Sequence, residues 1–485
     1  MKALKIISIF IVLVGFTSCE DFLDEQDPSQ ITNATFWNTE NELEKGLTAT
    51  YSALKQTYLW SSQGYKNMNS RGDDIVARLQ NPQIYRPDLF TNDPSNTFAR
   101  DMWKESYILI YRANQVIDNA VGIQMDETRK NEIILEAKFL RGLAYFVLAT
   151  NFKQVPLIVS SVPETKFPEK ATEEELWRQI ETDFQDATQL PNDYSLDKTG
   201  HATSWAAKAF LGKAYLYNEK WQLAADTFKD IIDSGQFSLV ENSYYNWDES
   251  HENNSESIFE IQYTFSSVSS QHNQRAVHFA PAGVGGYYVL SPSKWIFEEF
   301  QKEKTVDGDI DPRMYDTFIW NYPEAQIYQV PFKDFFAEDL DYIAWKKFQL
   351  WDKPISEASL WRSEINERIM RLSHVLLMHA ESEAELGNLP SAISSTNSIR
   401  ERANLSPLNG DLSQEEILAE IRHQRALEFH FEGERWYDII RWGIGDDVFL
   451  NNLERSDYTQ KYDYFPIPQE EIDANPNLDQ NPAWE

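Results

Sequence analysis

Apolar residues recur every three or four positions through most of this chain, the spacing that gathers them on one face of a helix. Leu43, Leu47, Tyr51 and Leu54 do so over Glu42 to Lys55, and Met102, Ile110, Asn114 and Ile117 mark one face over Phe98 to Val121. A longer run, Glu127 to Phe152, carries Ile133, Ala137, Leu140, Ala144 and Leu148 on one side and stops before Pro156, as a helix should. Glu173 to Leu190 and Thr203 to Ser234 continue the series, and after Glu367 the pattern returns until about Trp442. Inside Thr203 to Ser234, Leu211-Gly212, Tyr215, Trp221, Ala224 and Phe228 fall at the spacing of a tetratricopeptide helix pair. Small residues let two helices cross closely there, and large ones fill the gaps. Ala380, Gly387, Ala392 and Ile399 form a second, more degenerate unit. Two units this far apart predict a scattered helical-repeat scaffold rather than a compact array.

Between about 236 and 365 the texture changes. Phe259, Ile261, Tyr263 and Phe265 alternate with polar residues, a short strand signal, and Gly283, Gly285 and Gly286 mark a turn. Long irregular segments in folded proteins are more often functional than accidental. The predicted fold class is mainly α: a tetratricopeptide-like helical-repeat scaffold with a loop-rich insertion containing short β-strands. The helical frame covers about 39–235 and 366–445, the insertion about 236–365, and a Pro- and Asn-rich tail 446–485.

The N-terminus reads as a signal peptide over residues 1–18. Lys2 and Lys5 precede an apolar stretch from Ile6 to Phe16, and Glu20, Asp21 and Asp24 end it well short of the roughly 20 residues that span a bilayer. The single cysteine, Cys19, follows Phe16-Thr17-Ser18 and cannot form an internal disulfide. Its position resembles a bacterial lipobox, in which the thiol is acylated and becomes the mature N-terminus; the other reading is a cysteine lost with an ordinary cleaved signal. Acyl chains on Cys19 would hold the protein at a membrane, with residues 19–38 as a tether. Glu20-Asp21 resembles the acidic tag of surface-exposed lipoproteins.

Charge narrows the partners. The formal net charge of −33, from 44 basic and 77 acidic residues, repels phosphate backbones and argues against nucleic-acid binding. It also weighs against highly anionic polysaccharides, unless a local basic pocket exists. The 15 Trp, 23 Tyr and 28 Phe can fill a core and still spare rings for a ligand with apolar faces and polar edges, such as a sugar.

No HExxH, P-loop, GxSxG or paired-cysteine pattern occurs. Asp307, Asp309 and Asp311 mimic the start of a calcium loop, but Pro312 and Phe318 occupy the positions that need Gly and a bidentate Glu. A solvated turn and a nonstandard calcium site both fit, and no cofactor is expected. Two suitably spaced carboxylates would suffice for a glycosidase, and a chain this acidic cannot be cleared of them by sequence. His374 and His379, beside apolar neighbours on a helix, read as core or interface histidines.

Three C-terminal stretches carry a resemblance: RLSHVLLMHAESEAELGNLPSAISSTNSIRERA from Arg371, IRHQRALEFHFEGERWYDIIRWG from Ile421, and YFPIPQEEIDANPNLDQNPAWE from Tyr464. Together with WKESYILIYRANQVID from Trp103 and Cys19-Glu20-Asp21-Phe22-Leu23, they resemble the SusD/RagB family of surface lipoproteins. The resemblance implies a tetratricopeptide-like frame with an irregular binding face. It implies a non-enzymatic protein, lipid-anchored in the outer membrane and facing outward, that captures oligosaccharide for a SusC-like TonB-dependent barrel. Capture of peptides or glycopeptides, and surface glycoside hydrolysis, are the competing functions. The motif around Glu432, Glu434, Arg435, Asp438 and Arg441 is expected to form a buried ion-pair network across one helical turn, with Trp436, Ile439 and Trp442 covering a facing helix. Ligand residues vary in such proteins, so candidates come from the loops: Asp73, Asp74, Arg78 and Tyr85, and in the insertion Tyr287, Tyr288, Trp320 and Tyr322. Rings would stack on sugar faces while carboxylates and the guanidinium bond hydroxyls; local packing is the alternative for each.

Overall fold

The computed structural model describes residues 36–78, 82–265, 271–453 and 455–485. Cys19, the signal segment and all but the end of the tether lie outside them. Nine long helices carry the frame: α1 (Glu40–Leu54), α2 (Thr97–Ala120), α3 (Glu127–Phe152), α4 (Glu173–Ala187), α5 (Ser204–Tyr217), α6 (Trp221–Asp233), α7 (Leu372–Glu385), α8 (Leu389–Arg402) and α9 (Gln414–Glu428). Each packs on the next from α1 to α9, a mainly α, tetratricopeptide-like stack. Helix starts follow from Ser/Thr-x-x-Glu spacing: Thr39 with Glu42, Thr172 with Glu175 and Ser413 with Glu416 form reciprocal capping boxes. Helix α3 is flanked by α1, α2 and α4, so Leu135, Phe139, Leu143 and Val147 are buried on a second side, away from the face of Ile133, Ala137, Leu140, Ala144 and Leu148. A Cβ added at Gly212 on α5 would lie 2.5 Å from the Phe228 ring on α6, which is why that crossing needs glycine.

One expectation needs correcting. The two repeat units are not scattered, because α6 packs directly against α7 although the whole loop-rich segment separates them in sequence. Of four longer strands, β1 (Ile75–Ala77), β2 (Ser257–Ile261), β3 (Leu290–Pro292) and β4 (Glu367–Arg371), the antiparallel pair β2–β4 closes the neck of that segment, with Ser257 opposite Arg371 and Ile261 opposite Glu367. The chain therefore leaves and re-enters the stack at one place. The alternating run expected to extend to Phe265 stops pairing at Ile261. Beyond it, Tyr263 donates its N–H to Asn366 Oδ1 at 2.7 Å and its hydroxyl to the Trp60 carbonyl at 2.6 Å. Strand β1 pairs with β3, tying the Trp60 to Phe90 segment to the insertion.

Buried charges pin the neck to the frame. Arg371, at the end of β4, reaches Glu256 and Glu428 at 2.7 Å and Glu432 at 2.9 Å. Arg402 on α8 holds Glu428 at 2.5 Å, Arg313 holds Asp311 at 2.6 Å and Glu428 at 3.3 Å, and Lys347 holds Glu432 at 2.9 Å. Burial alone would raise the Glu428 carboxyl; Arg402, Arg371 and Arg313 outweigh it and hold the group well below the usual carboxylate range. The expected one-turn pairing survives only as Arg441 with Asp438 at 2.8 Å. After α9 the backbone turns through positive φ at Phe431 and Gly433, so Glu432, Glu434 and Arg435 instead reach Arg371, Lys213 and Asp73. His374 stacks on Phe429 at 4.1 Å and His379 meets Ser395 Oγ at 2.8 Å, both inside the frame.

Candidate functional site

The short helix Arg275–Phe279 organises the loop face. Arg275, buried at its first turn, is ion-paired to Glu367 of β4 at 2.8 Å, which fixes the helix to the neck of the insertion. The chain then makes a glycine turn. Gly285 adopts φ +84, and a Cβ at Gly286 would fall 2.1 Å from the Ala280 carbonyl oxygen, so neither position accepts a side chain freely. This turn lays the next residues back along the helix, where Tyr287 donates its N–H to the Val277 carbonyl at 2.9 Å. Val277 in turn donates to the Leu360 carbonyl at 3.1 Å, which places Trp361 beside Tyr287.

The outcome is an exposed aromatic corner. Tyr287 is 46% and Trp361 49% exposed, with ring centroids 5.7 Å apart and planes at 90°. His278 lies beneath, 5.4 Å from the Tyr287 ring, and its buried Nδ1 has no hydrogen-bond partner among the described residues. Burial first, and then the Lys66 ammonium, push this imidazole down to about 3, so it stays neutral at physiological pH. Lys66 is itself lowered by burial to about 7. Large rings left half in water, over an unpaired polar nitrogen, can seat a ligand with an apolar face and a hydroxyl edge.

The other candidates have different fates. Asp73 holds Arg435 through both oxygens at 2.6 and 2.7 Å, and Asp74 accepts from His430 at 2.8 Å, so both buried carboxylates are spent on the frame. This corrects their assignment to a ligand surface: their pairing partners lie far along the chain and no local spacing reveals them. Arg78 is exposed, its guanidinium 5.2 Å from the ring of Tyr288. Tyr288 is only 5% exposed, donates its hydroxyl to the Ile343 carbonyl and packs 4.7 Å from Tyr342, so it supports Arg78 rather than presenting a face. Trp320 and Tyr322 form a separate half-buried cluster with Tyr315, at 4.7 to 5.2 Å, and no ring contact joins it to Tyr287 among the described residues. Tyr85 is half-buried against the main core. Trp361, His278 and Lys66 were missed by sequence reasoning, and nothing local to Trp361 separates it from the many other aromatics of the insertion.

Asp307 accepts from Asn404 at 3.0 Å while Asp311 is buried against Arg313, which separates the mimic of a calcium loop into two structural roles. Among the described residues no three His, Cys, Asp or Glu side chains gather as a metal site. A larger cavity of about 540 Å³ lies on the frame, walled by Trp177, Tyr217, Tyr437 and Tyr464. Its lysines are already tied to carboxylates, Lys153 to Glu173 at 3.4 Å and Lys220 to Glu181 at 2.6 Å, which leaves fewer free donors for a ligand.

A profile of the SusD family matches residues 255–484, and a second, described as starch-binding and associating with the outer membrane, matches residues 21–216. A crystal structure of a SusD superfamily protein from Bacteroides vulgatus is 33% identical, with a TM-score of 0.86 over 93% of this chain and 100% of its own. The chain belongs to the SusD family. A SusD-like protein of Formosa agariphila is 28% identical over 100% of both chains. A laminarin-binding SusD-like protein of known structure, 24% identical, shares the fold with a TM-score of 0.78 over 92% of this chain and 99% of that one. Carbohydrate binding at the outer membrane is thus the class of activity to which this SusD-family chain belongs. No helix among the described residues is long and apolar enough to cross a membrane.

Proposed function

We propose that this protein is a Cys19-acylated, outward-facing lipoprotein that captures oligosaccharide on the Tyr287–Trp361 corner and delivers it to a SusC-like TonB-dependent barrel. The observation that carries the reading is that corner: two half-exposed rings at right angles, hung on one short helix above His278. One ring takes the C–H face of a sugar and the other closes its edge, while Arg78, which donates its N–H to the Val289 carbonyl at 3.0 Å, brings donors for hydroxyls to the strand that follows Tyr287. Binding and release complete the cycle, and no bond is broken. The laminarin-binding relative supports a glycan over a peptide as the cargo.

The test is binding of the full chain, purified in mild detergent, to an array of oligosaccharides and peptides. Tyr287→Ala and Trp361→Ala are each expected to weaken glycan binding about tenfold, the equivalent of roughly 1 to 2 kcal/mol of lost ring contact. Unchanged affinity in both variants overturns the assignment of the corner. Binding of peptides but not glycans favours the competing cargo, and shortened oligosaccharide products would point to a hydrolase.

A further inference from the structure

A cleft of about 330 Å³ opens between the C-terminal end of α1 and the helix Ser62–Asn69. Lys55, Arg112, Thr57, Ser61, Ser62 and Gln274 are among the residues that line it, and among the described residues no Asp or Glu does. That is unusual in a chain with 77 acidic and 44 basic residues. Two other clefts with cations also hold carboxylates: the frame cavity has Glu173 and Glu181, and a cleft of about 170 Å³ that also borders Lys55 has Glu260. Glu260 is already held by Arg368 at 2.9 Å.

Lys55 and Arg112 form no ion pair among the described residues. The Lys55 ammonium stands 5.6 Å from the Tyr263 ring, and burial alone lowers it, with no carboxylate opposing the shift. Arg112 spends one nitrogen on the Ala49 carbonyl at 2.6 Å. The nearby carboxylate Glu105 does not line the cleft; it accepts the Tyr58 N–H at 2.6 Å, and burial pushes it up to about 7, so near neutrality it carries only part of a charge. A half-buried ammonium without a partner costs free energy that a bound anion would recover.

Position joins the cleft to the aromatic corner. Gln274 borders the cleft and directly precedes the helix Arg275–Phe279, so the cleft wall lies one helical turn, about 6 Å along the axis, from His278. Ser62 begins the helix that carries Lys66, the ammonium closest in effect to His278.

We infer that the Lys55–Arg112 cleft is an anion subsite, which seats a carboxylate or sulfate ester on the same glycan that Tyr287 and Trp361 hold. The inference rests on the glycan-capture reading and narrows it to acidic saccharides. The chain's net charge of −33 repels such a polymer at long range, but screening over about 8 Å at physiological salt lets two local cations decide the contact. Neutral donors at Thr57, Ser61 and Ser62 complete the shell around the anion.

The experiment uses the full chain in mild detergent with four probes: an oligoglucuronate, the same oligomer with its carboxyls reduced to alcohols, its sulfated form, and oligoglutamate. The oligoglucuronate or the sulfated form, whichever the cleft prefers, is expected to bind about tenfold more tightly than the reduced oligomer, and raised salt should erase the difference. Lys55→Gln with Arg112→Gln should lower that ligand to the affinity of the reduced oligomer, while Lys55→Arg retains the preference. Thermal midpoints confirm that the variants fold. Equal binding of charged and reduced oligomers, or a preference that survives the double variant, overturns the subsite while leaving the aromatic corner intact. Loss of all saccharide binding in Tyr287→Ala with Trp361→Ala, alongside an intact response of Lys55 and Arg112 to free glucuronate, separates the two sites. If no saccharide binds the unaltered chain, glycan capture itself fails, and a free-glucuronate titration that shows no effect of the double variant removes the subsite as well. Equal affinity for oligoglutamate overturns the saccharide as its occupant.

Discussion

At the neck of the insertion, Arg371, Arg402 and Arg313 share Glu256, Glu428, Glu432 and Asp311, and each of these three arginines touches at least two carboxylate or hydroxyl oxygens. On the loop face and in the cleft beside it, Arg78, Lys55 and Arg112 form no ion pair among the described residues and instead meet a ring or a carbonyl. The chain has carboxylates to spare, so the difference is one of placement rather than supply. Inside the joint a charge without a partner costs several kcal/mol, whereas a partly exposed cation keeps its contact with water and its donors free. The joint also serves the face, because Arg275–Glu367 links β4 to the helix from which Tyr287 and Trp361 hang.

The sharpest way to break this contrast is Arg371→Met. It leaves Glu256, Glu428 and Glu432 buried without their shared cation, a change that typically costs about 3 to 5 kcal/mol. Chemical denaturation should show a loss of that order, and a stability within error of the parent would mean that the joint does not hold the insertion.

A smaller, graded effect is expected from pH. Glu428, Glu256 and Asp438 have folded values below their unfolded ones, so their stabilisation is complete above about 4.5 and is lost as pH falls through the folded values. Glu252 and Glu105, raised to about 8 and about 7, chiefly by burial, act in the opposite sense. The folded chain takes up their protons first, so stability climbs as pH falls from about 8 towards 5. Buried His278, His374, His379 and His430, whose folded values lie below the free 6.5, oppose this gain once pH falls below 6.5, so thermal midpoints should peak between about 6.5 and 5 and drop below 4.5. A curve that falls steadily from pH 8 to 5 contradicts the assignment.

Periodicity exposed the frame because it is a local property: the α3 run from Glu127 to Phe152 and the Thr-x-x-Glu caps can be read from a few neighbouring residues. The adjacency of α6 and α7 could not be read this way, since it depends on the pairing of β2 with β4 across the whole insertion, which no short stretch of sequence encodes. Asp73 and Asp74 misled for the same reason, as their partners Arg435 and His430 stand some 360 positions away. Tyr287 was legible as a ring after a glycine turn, but its exposure, and that of Trp361, depends on backbone bonds from Val277 to two distant segments. Local rules therefore found which loops to search and not which side chains face outward.

The finest test of the contrast is the stability of the ring variants. Tyr287 and Trp361 are each about half in water, and their ring contacts are with each other and with His278. Removing such side chains opens no cavity and strands no charge, so Tyr287→Ala and Trp361→Ala should each move stability by no more than about 0.5 kcal/mol. Arg275, which holds the same helix from beneath, packs on Tyr65 and Phe348 and pairs with Glu367, so its loss belongs with the joint. Denaturation midpoints of the ring variants that match the parent, beside the tenfold loss of glycan affinity, would separate the ligand surface from the structure that carries it. A drop of 2 kcal/mol or more, the usual cost of emptying a core site, would mean that the two rings are packing elements and that the ligand surface lies elsewhere on the insertion.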